Sequence, residues 1–271
     1  MNIKQSTMVK PAEKTPKRRL WLSRLDMIVR MPLSHSASLH VYSPTADTKE
    51  SNNNNNNGDN GNDNNNNNNN NLFFDANILM DSLSKALVPF YPMAGRLTQD
   101  KNGRVEIDCN GEGALFIEAE TTQYSLADFG DFKPTMELRK LVIPSCDYSK
   151  GLSSFPLLMV QLTRFKCGGV TLGFAGHHHV ADGLGHVHFI NEWARLARGL
   201  DLELMPFHER APHLAPRDPP QVKFQHLEFN APASLLLGMY QVLENYELIF
   251  EGIFRHLLAI FFITFVYEFI V

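Results

Sequence analysis

173-GFAGHHHVADGLGHVHFINEW-193 is the stretch on which the reading of this chain turns, because it joins two kinds of periodicity. Upstream, 155-FPLLMVQLTRFKCGGVTLGFAGH-177 holds two apolar runs separated by Gly168 and Gly169, which predicts a β-hairpin whose outgoing strand delivers the chain to His177. Downstream of Asp182, Leu184, Val187, Ile190, Ala194 and Ala197 recur at helical spacing and Gly199 marks an end, which predicts a helix. The three successive histidines therefore occupy a strand-to-helix connection.

Three readings of that connection are open. His177, His178, His179, Asp182, His186 and His188 form an imidazole-rich group of the kind that holds zinc. Adjacent side chains on an extended segment point to opposite faces, however, and no H-E-x-x-H pattern is present, so no metal is expected. A second reading makes Asp182 a helix cap through its side-chain oxygen, with no chemistry attached. In the third, a histidine with a pKa near 6.5 takes a proton from a hydroxyl while the aspartate holds the loop. No G-x-S-x-G accompanies it, and Cys167 sits at a hairpin turn without a visible partner. A base without a protein nucleophile suggests direct transfer to a bound acceptor.

Working outward, 36-SASLHVYSP-44 alternates, so Leu39 and Val41 are expected to share one face of a strand ending at Pro44. Ser51 to Asn71 is almost entirely asparagine and is expected to be a disordered surface insertion. A helix is predicted from about Ala76 to Leu87, with Ile78, Leu79, Leu83, Ala86 and Leu87 as its stripe and Pro89 as its stop. In 103-GRVEIDCNGEGALFIEAE-120, Val105 and Ile107 alternate, "NGEG" turns the chain, and Leu115 and Ile117 alternate again, which predicts a hairpin. Residues 200–230 are proline-rich and read as a crossover or linker, and residues 231–271 form an atypical apolar tail.

With 25 basic and 29 acidic residues spread along 271, no basic block tracks a phosphate backbone, and nucleic acid is excluded as a partner. Three widely spaced cysteines suit a reducing compartment. The first 21 residues lack the apolar run of a secretory signal, and a cytoplasmic location is expected. The apolar 256-HLLAIFFITFVYEFIV-271 is interrupted by Glu268 and falls short of the roughly 20 residues of a membrane span, so no membrane association is expected.

"HHVADG", with His178 and Asp182 as the fixed pair, resembles the H-x-x-x-D-G motif of the BAHD acyltransferases, which move acyl groups from CoA thioesters to alcohols or amines. "STMVKPAEKTPKRRLWLS", "LVPFYPMAGRL", "GRVEIDCNGEG", "DFGDFKPTMELRKL", "SFPLLMVQLTRFKCGG", "HFINEWARLARGLDL" and "RDPP" extend the resemblance, in order, from Ser6 to about Phe229, and look like the branch that acylates shikimate or quinate with hydroxycinnamoyl groups. The resemblance implies an α/β fold of the chloramphenicol-acetyltransferase type, a mixed sheet flanked by helices, with residues 1–230 as the N-terminal domain and a channel between two halves as the active site. It implies His178 as general base, Asp182 and Gly183 as structural support with Asp182 paired to an arginine, and His35, Ser38 and His40 as acceptor contacts. His40 stands where the family usually has tyrosine.

The donor implied is p-coumaroyl-CoA or caffeoyl-CoA, the acceptor a hydroxyl of shikimate or quinate, with no permanently bound cofactor and a monomer when complete. An amine acceptor is an alternative within the same chemistry. The D-F-G-W-G signature of the family's second half is absent, "DFGDF" at Asp128 belongs to the first half, and residues 231–271 resemble nothing in the family. The expectation is therefore a truncated chain, and its alternative function is that of a catalytically inactive fragment that binds or interferes with complete relatives.

Overall fold

The computed structural model describes residues 1–27, 35–43, 74–215 and Pro219. The asparagine tract, the later part of the proline-rich segment and the tail at 231–271 lie outside the described residues. Met1–Ala215 forms one compact unit.

Eight strands are described: β1 (Asn2–Val9), β2 (Arg19–Trp21), β3 (His35–Tyr42), β4 (Arg96–Gln99), β5 (Val105–Asp108), β6 (Ala114–Thr121), β7 (Leu158–Phe165) and β8 (Val170–His177). With them are the helices α1 (Ala76–Ala86), α2 (Met136–Val142) and α3 (Gly183–Ala197). One sheet runs β1-β6-β7-β8-β3 and a smaller one β2-β5-β4. The β6–β7 pair is parallel and the other pairs antiparallel, so the main sheet is mixed and flanked by helices, as expected.

Both predicted elements around the histidines form. β7 and β8 pair antiparallel across Gly168–Gly169, and every residue of β8 is buried, as befits a strand covered on both faces. Two glycines allow that cover. A Cβ on Gly173 would stand 1.9 Å from the Val142 carbonyl oxygen on the α2 side, and one on Gly176 would stand 2.1 Å from His186 Nε2 on the α3 side. On the α3 side Phe174 also meets Trp193 edge-on, with ring centroids 5.6 Å apart. Trp193 Nε1 donates to Ser82 Oγ (2.9 Å) and the Leu79 carbonyl (3.2 Å), tying α3 to α1.

Three readings of the sequence are corrected. "NGEG" is not a hairpin turn: β5 pairs with β4 and β2, whereas β6 belongs to the other sheet. The segment crosses between sheets because the Gly113 amide bonds the Ala94 carbonyl and the buried Arg96 guanidinium grips the Gly95 and Gly113 carbonyls. Period-two alternation marks a strand and its faces, not its partner. The hairpin that does form joins β4 to β5, where Asp100 accepts from the Asn102 and Arg104 amides and Gly103 takes φ +78°.

Ile78 is 52% exposed, and Ala76, Leu79, Leu83 and Ala86 make the buried stripe of α1. In α3, Leu184 is 81% exposed and the inward residues are Phe189, Glu192 and Trp193, one position round from the expected stripe. The cause is a buried polar group: Glu192 accepts from the Glu203 and Leu204 amides and so faces inward. On β3, Leu39 and Val41 share one face as expected, with Val41 exposed and Leu39 in a small cluster with Ile143 on the α2 side. His40 and Tyr42 lie on the opposite face, beside Phe174 and Phe74 respectively.

Candidate active site

β8 ends in a tight turn. The His177 amide donates to the Leu157 carbonyl (2.8 Å) and the Val180 amide to the His177 carbonyl (3.0 Å), which folds the chain back before α3 begins. The three histidines diverge there. His177 is fully buried, its ring stacked on Phe155 at 5.6 Å and edge-on to His35 at 5.1 Å. His179 is also buried, and burial, followed by the charge of His178, lowers its pKa. His178 alone of the three is partly exposed, and its Nδ1 is shielded from solvent without a hydrogen-bond partner among the described residues.

The turn is held from outside. Arg210 donates from Nη1 to the His179 carbonyl (3.0 Å) and from Nη2 to the Val180 carbonyl (2.6 Å), and pairs with Asp26 at 3.2 Å. Asp26 in turn accepts from the Ser23 amide at 2.7 Å. Neither Arg210 nor Asp26 was legible in the sequence, since each sits in an irregular segment without a motif. His186 was read as belonging to the helix, and it does, but its ring fills the space that Gly176 leaves. Burial pushes its pKa down to about 4, with the nearby charge of His178 lowering it further and a hydrogen bond to the Asp182 backbone opposing. A lone glycine inside a strand is the signal that marks such a close approach.

Asp182 is the N-cap of α3, its side chain accepting from the Gly185 amide at 2.8 Å, so the capping reading describes its position. Among the described residues it makes no ion pair, and the arginine partner implied by resemblance is not seen. Gly183 opens the helix, and a Cβ there would meet nothing within 4 Å, so geometry gives it no steric task.

The three expected acceptor contacts fall on two faces of β3. His35 pairs in register with His177, while Ser38 and His40 pair with Phe174 and Leu172 on the α3 face. His35 Nδ1 meets Tyr148 Oη at 2.6 Å and Nε2 meets the Pro156 carbonyl at 2.8 Å. Both ring nitrogens thus have partners within the protein. Burial pushes its pKa down to about 4. His40 also sits at about 4 through burial, its Nε2 shielded and without a partner among the described residues.

Among the described residues no group of three or more His, Cys, Asp or Glu could hold a metal ion. All three cysteines are free, and burial raises the Cys109 thiol to about 12, which leaves it no thiolate character at neutral pH. No helix of the described residues is long and apolar enough to cross a membrane.

Comparison with known proteins follows the same lines. The model of the Transferase family matches residues 64–244. Anthranilate N-benzoyltransferase protein 1 of Dianthus caryophyllus is 56% identical over 229 residues, covering 84% of this chain and 48% of that protein. Shikimate O-hydroxycinnamoyltransferase of Nicotiana tabacum is 50% identical over 235 residues, covering 87% and 48%. A hydroxycinnamoyl-CoA:5-hydroxyanthranilate N-hydroxycinnamoyltransferase of Avena sativa is 46% identical over 244 residues, covering 90% and 51%. The crystal structure of vinorine synthase superposes with a TM-score of 0.55 at 25% identity, covering 82% of this chain and 49% of that one. The chain thus spans about half the length of the curated relatives it matches.

Proposed function

The chain belongs to the BAHD acyltransferases, and on that premise we propose that it carries the proton-transfer half of a CoA-dependent acyl transfer with His178 as general base. The acyl group is a hydroxycinnamoyl unit, p-coumaroyl or caffeoyl, and the acceptor a hydroxyl of shikimate or quinate. One observation carries the reading: of three consecutive histidines, His177 and His179 are buried and only His178 is partly exposed, on a turn whose His179 and Val180 carbonyls Arg210 holds.

His178 Nε2 removes the hydroxyl proton as the acceptor oxygen attacks the thioester carbonyl. The tetrahedral intermediate collapses, the carbon–sulfur bond breaks, and the proton held by the imidazole passes to the departing thiolate. Asp182 has no part in that transfer, because its carboxylate is turned to the Gly185 amide and caps α3. The chemistry also explains why no protein nucleophile is required.

A second reading replaces the hydroxyl with the amine of an anthranilate. It is favoured by the relatives bearing that acceptor in their names, which reach 56% identity. The two readings part at the base. An aryl amine attacks as a neutral nucleophile and loses its proton afterwards, whereas an alcohol needs the proton drawn off during attack. Acceptor-dependent CoA release from p-coumaroyl-CoA, measured with shikimate, quinate and anthranilate in wild type and His178→Ala, tests both. The expected result is release with shikimate or quinate that falls by about 10²–10⁴-fold in the variant. Release with anthranilate alone would replace the first reading by the second, and undiminished release in His178→Ala would remove the proposed base.

A further inference from the structure

We infer that Arg210 is a positioning residue for His178: its guanidinium fixes the turn that carries the imidazole, so an irregular segment with no reacting group of its own sets how well the base works. The inference rests on the reading of His178 as the base. Where an imidazole stands depends on the peptide planes on either side of its Cα, and misplacing a catalytic group by about 1 Å can cost about 10²-fold in rate. Two ties around His178 lie within the turn itself. The His177 carbonyl accepts from the Val180 amide (3.0 Å), and the His179 amide donates to His177 Nδ1 (3.3 Å). The next two carbonyls are held from a distant part of the chain, His179 by Arg210 Nη1 (3.0 Å) and Val180 by Arg210 Nη2 (2.6 Å).

Arginine suits this task. Its planar fork stays charged and aims several donors in fixed directions, so one group meets two consecutive carbonyls and also the Asp26 carboxylate, 3.2 Å from Nη1. Both side chains of that pair are 19% exposed, which limits screening by solvent. No backbone ladder places Arg210, because residues 200–210 form neither helix nor strand. Side-chain anchors place it instead. Glu192 accepts from the Glu203 and Leu204 amides, His208 Nε2 donates to the Pro89 carbonyl (2.8 Å), and Glu209 pairs with Arg18 at 2.6 Å. The last two anchors directly precede Arg210 and deliver it to the turn. The start of α3 does not depend on it, since Asp182 caps the helix at the Gly185 amide and the Val180 amide closes the turn. Loss of the guanidinium is therefore expected to loosen His178 without unfolding the chain.

The test compares wild type, Arg210→Ala, Arg210→Lys and Arg195→Ala in the 271-residue chain, by acceptor-dependent CoA release from p-coumaroyl-CoA and by imidazole NMR of histidine-labelled protein. Arg210→Ala is expected to lower kcat by about 10–10²-fold with KM little changed, and added ethylguanidinium to restore part of the loss. Arg210→Lys, which keeps the charge but not the fork, should fall between the two. Arg195→Ala frees Glu203 and the Asp201 carbonyl on the same segment without touching the turn, and should keep the wild-type kcat. In the spectra the His178 ring signals are expected to shift in Arg210→Ala while those of His35 stay in place. Unchanged kcat or unmoved His178 signals in folded Arg210→Ala would overturn the inference, as would an equal loss of kcat in Arg195→Ala. Arg210→Lys decides by the same criteria if the alanine variant does not fold. His178 signals that follow residue 210 in a chain that releases no CoA would leave the positioning by Arg210 standing and defeat the acyl-transfer reading instead.

Discussion

Two pairs of imidazoles stand at the same end of the β8–β3 ladder, one toward each face of the sheet. His35 and His177 are packed ring against ring with Phe155, and His35 has a partner on both nitrogens. His178 and His186, on the other side of the turn, each keep a shielded nitrogen without a partner among the described residues. The difference sorts the imidazoles without singling out the base, since His40 Nε2 and His179 Nδ1 share that shielded, unpartnered state among the described residues. A saturated imidazole has no lone pair or proton left to offer, whereas an unsatisfied one holds exchange capacity in reserve at a cost to stability.

Removing members of the two pairs should therefore move different observables. His35→Ala leaves Tyr148 Oη and the Pro156 carbonyl facing a cavity, and is expected to lower unfolding free energy by about 3 kcal/mol in urea titration, while His178→Ala stays within about 0.5 kcal/mol. Equal losses would erase the distinction.

Gly176→Ala sharpens the comparison from the helix side. Its methyl would displace the His186 ring, and overpacking of this kind is expected to cost about 2 kcal/mol, read as a lower midpoint temperature. The ring is the flexible partner, so His186→Ala in the same background should recover part of the loss; no recovery would mean that the clash lies elsewhere.

Acid should strike the buried imidazoles on both sides, His35 as well as His186. His35 has a folded pKa of about 4, below the ordinary value of 6.5. Between those values the unfolded state binds the extra proton, so its contribution is fully present above pH 6.5 and is lost as pH falls toward 4. Stability is expected to drop by on the order of 2 kcal/mol between pH 7 and pH 5 on this account, less so in His35→Gln. A slope identical in the two proteins would contradict the assignment.

The smallest effect belongs to the clamp. Asp26→Asn removes the ion pair to Arg210 while leaving its two carbonyl bonds, and is expected to cost about 1 kcal/mol and to raise amide hydrogen exchange at Val180 first. Exchange that rises uniformly along β8 would instead indicate a global loss.

Much of this was legible before any coordinates. Periodicity and paired glycines located the β7–β8 hairpin and α3, and Asp182 falls at the cap that its residue type prefers. The partners of β5 and β6 were not legible, because alternation carries no information about which sheet a strand joins, and the Arg96 grip on Gly113 acts across distant sequence. The inward face of α3 was misplaced by one position because Glu192 is buried for its hydrogen bonds, a reason invisible to an apolar stripe. At the site, His178 emerged from its motif, but the sequence offered nothing to separate it from His35, whose nitrogens are consumed by Tyr148 and the Pro156 carbonyl, both more than a hundred residues away.

The most direct measurement is acceptor-dependent CoA release by the folded chain in parallel with His178→Ala and His35→Gln, at matched stability. Loss of about 10²-fold or more in His178→Ala, with near wild-type turnover in His35→Gln, is the expected result and would identify the unsatisfied imidazole as the base. Turnover that survives in His178→Ala, or that disappears equally in both variants, would contradict it.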